Sequence, residues 1–96
     1  MEVTVNAIHF EASAALEAFI NKKAERLQRR YPNVIAYDFT LKVVKPETSL
    51  NKEVTVKVDV PKEPEIVATK VADTFEEAVD VSLEAVERQL ERKKNC

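Results

Sequence analysis

The chain has 96 residues, of which 45% are hydrophobic and 33% are charged. This length suits one domain with a single core, which we place at residues 1–96. No apolar run approaches the roughly 18 residues that a membrane span needs. The N-terminal residues lack the basic and apolar blocks of a signal peptide, so we expect a cytoplasmic protein. Cys96 is the only cysteine, which excludes an internal disulfide.

The formal net charge of −2 hides an uneven distribution. Residues 22–30 contain five bases and one acid, and residues 88–94 contain four bases and one acid. The remainder of the chain is therefore strongly acidic. Two concentrated basic segments in an acidic chain indicate a polarised surface, which matters more for binding than the net charge does.

The first two predicted elements are a strand and a helix. Residues 2–7 alternate between apolar and polar side chains, as in a half-buried strand. Apolar residues then recur every three or four positions, which predicts an amphipathic helix with Leu16, Phe19, Ile20, Ala24, Leu27 and Tyr31 on its buried face. Ser13 suits the N-cap of this helix. Pro32 disfavours helical geometry at Tyr31, so we expect the helix to end there.

Three more strands are predicted. In residues 34–44 one face carries Ile35, Tyr37, Phe39, Leu41 and Val43, and a loop at residues 46–49 follows. The next strand has the clearest alternation, with Val54, Val56, Val58 and Val60 on one face. A last strand at about residues 65–72 leaves open which set points inward, Val67, Thr69 and Val71 or Ile66 and Ala68. Because the chain contains no glycine, we expect proline and asparagine to form the turns.

A second helix begins after the last strand. Thr74 with Glu77 forms a capping-box pattern, and Asp73 with Glu76 offers the same pattern one residue earlier. Its expected buried stripe is Phe75, Val79, Leu83, Val86 and Leu90. The element order is therefore βαβββα. A parallel crossover followed by an antiparallel meander predicts an α+β two-layer sandwich, with a four-stranded mixed sheet in the order 1-2-3-4 and both helices on one face.

Catalysis has little support in the residues. His9 is the only histidine, and a lone histidine after a strand is usually a loop or edge residue. The sequence has no nucleophile motif, no glycine-rich phosphate loop and no His and Cys cluster with metal-ligand spacing. We therefore expect no enzyme activity, no metal, no cofactor and no small-molecule substrate.

The basic segments are the features that suggest function, and they admit two interpretations. Cations are favoured near helix C-termini in any protein, so both clusters have a purely structural explanation. If the two helices lie side by side and roughly parallel, their basic ends could instead form one surface for phosphates that are recognised by shape. The pattern alone leaves these two interpretations about equally weighted.

A family resemblance adds to this pattern. Residues 73–80, DTFEEAVD, and residues 86–90, VERQL, resemble the second helix of the ribosome hibernation-promoting factors, also called ribosome-associated inhibitors. Residues 13–27 are similar to the first helix of that family, with a capping Ser and a late basic cluster. The resemblance covers nearly the whole chain and corresponds to the family's short form, without a second domain.

The resemblance implies a hibernation factor that binds rRNA of the small ribosomal subunit near the decoding region and inhibits translation under stress. We also expect a protein that is monomeric when free and does not bind membranes. The candidate RNA-binding residues are Lys22, Lys23, Arg26, Arg29, Arg30, Arg88, Arg92, Lys93 and Lys94. The alternative is a protein-interaction module that uses an open sheet edge or the acidic surface. A third possibility is a scaffold that has lost the function.

Overall fold

The computed structural model of the chain describes residues 2–44 and 50–94. Within these ranges the elements follow the predicted order: β1 Glu2–Ala7, α1 Ala14–Arg30, β2 Ala36–Val43, β3 Lys52–Asp59, β4 Ile66–Ala72 and α2 Phe75–Lys94. The predicted loop at residues 46–49 and Cys96 lie outside the described residues. The side chains of Lys93 and Lys94 also lie outside the described part of the chain.

The sheet has the predicted order β1-β2-β3-β4. β1 pairs with β2 in parallel, and Val5 lies opposite Phe39. β2 with β3 and β3 with β4 are antiparallel. A parallel pair requires a crossover, which α1 provides. β1 and β4 are consequently the two edges of the sheet.

The core lies between one face of the sheet and the two helices, as predicted for an α+β sandwich. Tyr37, Phe39 and Leu41 of β2 are completely buried. The helices add their predicted apolar stripes, of which Leu16, Ile20, Ala24, Leu27, Val79, Leu83, Val86 and Leu90 are buried. Burial of these side chains is the main favourable contribution to folding.

Local hydrogen bonds account for the helix ends. The Leu16 amide donates to Ser13 Oγ over 3.1 Å, which confirms the predicted N-cap of α1. At the start of α2 the Glu77 amide donates to Thr74 Oγ1 over 3.1 Å. Asp73 instead accepts the Leu50 amide over 2.7 Å. Of the two capping patterns, the one at Thr74 is therefore the one that forms.

The structure shows which residues of β2 and β4 face the core. It corrects the prediction for β2 and resolves the ambiguity in β4. Ile35 and Val43, expected in the core, are 50% and 46% exposed because they lie at or beyond the ends of β2, where the helix layer no longer covers the sheet. In β4 the inward residues are Ile66 and Ala68. Val67 and Val71 lie exposed on the open face.

The prediction that proline and asparagine would form the turns is incomplete. Among the described residues, three others adopt positive φ: His9 at 66°, Leu50 at 50° and Lys62 at 68°. The left-handed region is costly for a residue with a Cβ, and glycine usually occupies it. In this chain His9, Leu50 and Lys62 adopt the left-handed conformation although each has a Cβ atom.

Candidate nucleic-acid interface

The two helices lie side by side and run in the same direction. Lys23 Nζ lies 3.1 Å from Asp80 Oδ1, and two turns later Arg30 pairs with Glu87. Both helices advance by seven residues between these contacts, which requires a parallel arrangement in register. The C-terminal halves of the helices, which carry the basic segments, therefore lie at the same end of the molecule.

The five predicted bases of α1 divide between two directions. Lys22, Arg26 and Arg29 are exposed and follow one another at helical spacing, and Arg26 also borders the groove between the helices; we call these three residues the α1 ridge. Lys23 and Arg30 turn toward α2 and engage its carboxylates. Two aromatic rings contact these cations, since Lys23 Nζ lies 5.3 Å from the Phe19 ring centre and the Arg30 guanidinium lies 5.8 Å from that of Tyr31.

The predicted bases of α2 whose side chains are described are Arg88 and Arg92. Both are exposed and lie one turn apart, and we call them the α2 ridge. Arg88 borders the C-terminal half of the groove between the helices, together with Arg30 and Tyr31. The structure thus brings cations from both predicted segments onto the same helix layer.

Carboxylates that the sequence analysis did not assign to the site line the groove between the ridges. They form one row on α2, consisting of Asp80, Glu84, Glu87 and Glu91, and we call it the acidic row. The part of the groove that Lys23, Asp80 and Glu87 line has a volume of about 360 Å³, and Leu27 and Leu83 also line it. The sequence analysis allowed the basic ends of the helices to form one basic surface. The acidic row separates them, so the basic surface is not continuous.

A signal for the acidic row was present in the sequence. Its four residues are spaced by four, three and four positions, which places them on one helix face. Of the acids on α2, only Glu76 and Glu77 enter the sequence-based prediction, as partners in capping-box patterns. Which neighbour the row faces could not be known without the packing of α2 against α1.

Tyr31 closes the C-terminal end of the groove. Its hydroxyl donates to Glu91 Oε2 over 2.5 Å. This hydrogen bond raises the pKa of Tyr31 to about 12, and burial of the ring adds to the shift. The neutral hydroxyl is thus a structural link between the helices.

The described residues offer little chemistry beyond charge. His9 is exposed in the turn after β1. Within residues 2–44 and 50–94 no group of histidine, cysteine, aspartate and glutamate side chains is arranged to hold a metal ion. The surface of the helix layer presents cations and carboxylates in ordered rows, which can bind charged groups.

Comparison with known proteins identifies the family. The sequence pattern of the family described as Sigma 54 modulation protein / S30EA ribosomal protein matches residues 3–95. The chain belongs to this family. The predicted resemblance to ribosome hibernation factors is thereby confirmed, and the family is one of ribosome-binding proteins that regulate translation, not of enzymes.

Two solved structures share the family's fold. A ribosomal subunit interface protein from Coxiella burnetii superposes with a TM-score of 0.86 at 22% identity, over 100% of both chains. The N-terminal domain of Protein Y from Thermus thermophilus gives a TM-score of 0.79 at 19% identity, over 96% of this chain and 98% of that one. Among curated proteins, no sequence matches. In the described part of the chain, neither helix is long and apolar enough to cross a membrane.

Proposed function

We propose that this chain, acting as one ribosome-binding domain, attaches to rRNA of the small ribosomal subunit near the decoding region. There it would occupy space used by messenger and transfer RNA and silence idle ribosomes under stress. The observation that supports this proposal is the placement of exposed arginines from both basic segments on one helix layer of a family member. Exposed cations on a rigid layer suit phosphates that are recognised by their positions.

The physical basis of the proposed binding is local charge. The chain as a whole has a net charge of −2, so long-range attraction to RNA is weak. The α1 and α2 ridges present their cations to solvent, where each phosphate contact releases a condensed counterion. Affinity for the subunit is therefore expected to fall steeply as salt is raised.

Co-sedimentation with purified small subunits tests the proposal. The variant Arg26→Gln/Arg88→Gln/Arg92→Gln removes three cations from the two ridges. We expect it to bind far more weakly than the unaltered chain and to show a log–log salt slope shallower by about two to three, since each lost phosphate contact removes about one from the slope.

A matched control has the same net charge as the triple arginine variant. Lys42→Gln/Lys57→Gln/Lys70→Gln removes three exposed lysines from the strands. The control is expected to bind within about threefold of the unaltered chain, because Lys42 and Lys57 lie on the open face of the sheet and Lys70 lies on the edge strand β4, so none of them belongs to either ridge. Equal loss of binding in both variants would show that net charge, and not the ridges, governs attachment.

One observation favours a second candidate, a protein-interaction module. The edge strand β4 exposes Val67 and Val71, which are 46% and 41% accessible, beside unpaired backbone groups. Such an edge can accept a strand from a partner protein. Binding to a protein partner that survives nuclease treatment and is lost in Val67→Lys/Val71→Lys, without subunit binding, would favour this candidate.

A further inference from the structure

The acidic row lies between the two basic ridges. Its members face α1 directly: Asp80 contacts Lys23, Glu87 contacts Arg30, and Glu91 accepts the Tyr31 hydroxyl. Glu84 lines the same groove beside Arg26. Lys23 and Arg30, two of the bases that line the groove, are thus already paired with carboxylates.

The helix layer therefore carries alternating charge in the direction across the helix axes. The α1 ridge is basic, the groove holds the acidic row, and the α2 ridge is basic again. Packed helices have axes about 8–10 Å apart, and the two ridges lie on different helices of such a pair. A polyanion's interaction with this pattern therefore depends on whether its phosphates lie along the groove or along the ridges.

A single phosphate backbone that lies along the groove meets the acidic row at close range. The carboxylates repel the phosphates, and the charges of Lys23 and Arg30 are already largely neutralised by their carboxylate partners. Two backbone segments that each follow one ridge lie farther from the row and meet the exposed cations of the ridges first. Folded RNA presents such neighbouring backbone segments, whereas a single extended strand does not.

We propose that the acidic row is a specificity element that rejects single extended polyanions and reserves the two ridges for folded RNA with two neighbouring backbone segments. This inference rests on the proposed function, which it refines by naming the shape of the RNA. It assigns to Asp80, Glu84 and Glu87 a function in discrimination that adds to any effect on stability.

The row can be neutralised without unfolding the chain. The paired side chains remain between 30% and 63% accessible, and ion pairs of this kind contribute little to stability. The test variant is Asp80→Asn/Glu84→Gln/Glu87→Gln. The matched control, Glu53→Gln/Asp59→Asn/Glu65→Gln, removes the same number of acids from the strands and the turn before β4. Circular dichroism melting checks that both variants fold.

Two ligands are compared for each variant, a short oligouridylate and the purified small ribosomal subunit. The row variant is expected to bind oligouridylate about tenfold more tightly than the unaltered chain at low salt. Its salt slope should steepen by about one, because Lys23 and Arg30 become available to phosphates of a single strand. Affinity for the subunit should rise much less, so the preference for the subunit falls.

Each outcome decides a point. If the row variant and the control raise oligouridylate binding equally, the row has no special effect and the inference is wrong. If the row variant gains equally on oligouridylate and on the subunit, the row lowers affinity without discriminating, which also overturns the inference. If the unaltered chain fails to bind the subunit, the proposed function fails, while the oligouridylate comparison still shows whether the row repels a single strand.

Discussion

Two buried polar atoms among the described residues have no hydrogen-bond partner within the protein, Gln28 Oε1 and the Tyr37 hydroxyl. Tyr37, the second residue of β2, is completely buried. Burial raises the pKa of its hydroxyl to about 12, because the phenolate would lose its hydration. The aromatic ring stabilises the core, whereas the hydroxyl is desolvated without compensation.

Replacing Tyr37 by phenylalanine tests this interpretation. Removal of an unpaired buried hydroxyl is expected to leave the free energy of unfolding unchanged or to raise it by up to about 1 kcal/mol. Urea denaturation measures the change. Tyr31→Phe is the matched comparison, since it deletes the hydrogen bond to Glu91 and should lower stability by roughly 0.5–1.5 kcal/mol. A clear loss of stability in Tyr37→Phe would indicate that its hydroxyl has a partner in solution.

At the scale of elements, capping decides where the helices begin. Ser13 adopts an extended backbone, with φ −67° and ψ 157°, and its hydroxyl accepts the Leu16 amide. An N-terminal helical amide otherwise has no partner within the helix. At the other end the Tyr31 amide donates to Leu27 O over 3.0 Å before Pro32 stops the helix.

Ser13→Ala is expected to destabilise the protein by about 1 kcal/mol, because the capping hydrogen bond is lost. Ser13→Asp should retain most of the stability, since a carboxylate also caps and interacts favourably with the helix dipole. Chemical denaturation of the three proteins side by side measures both effects. Equal destabilisation by alanine and by aspartate would mean that the cap contributes nothing at this site.

At the scale of the whole molecule, stability depends on alkaline pH through both tyrosines. Tyr31 and Tyr37 are the only tyrosines, and each has its pKa raised from 10.0 to about 12. A raised pKa in the folded state means that folding favours the protonated hydroxyl. This contribution to stability is fully present below pH 10 and is lost as the pH rises toward 12.

The ultraviolet absorbance of phenolate measures this titration directly. In the native protein we expect almost no tyrosinate at pH 10 and a transition near pH 12 that coincides with loss of circular dichroism. In urea the same residues should titrate near their ordinary pKa of about 10. A native transition near pH 10 that involves half of the absorbance change would show that one hydroxyl is exposed to solvent.

Much of the fold was predictable because its signals are local. Ser13, Pro32 and Thr74 set helix ends through hydrogen bonds and steric effects within a few residues. The alternation of apolar and polar residues in β3 indicated one buried face. The element order βαβββα allowed few arrangements of the strands in the sheet. β4 was ambiguous because both of its faces carry apolar residues, and only its pairing with β3 placed Ile66 and Ala68 inside.

The sequence by itself determined the order of the elements, the cores of both helices, the positions of the cations and the family resemblance, because each depends on spacing along the chain. The tertiary structure alone decided which charges meet. Parallel packing in register set the acids of α2 against Lys23 and Arg30 and left Arg26, Arg88 and Arg92 facing solvent. Charges far apart in sequence interact only after the hydrophobic core has brought their helices together.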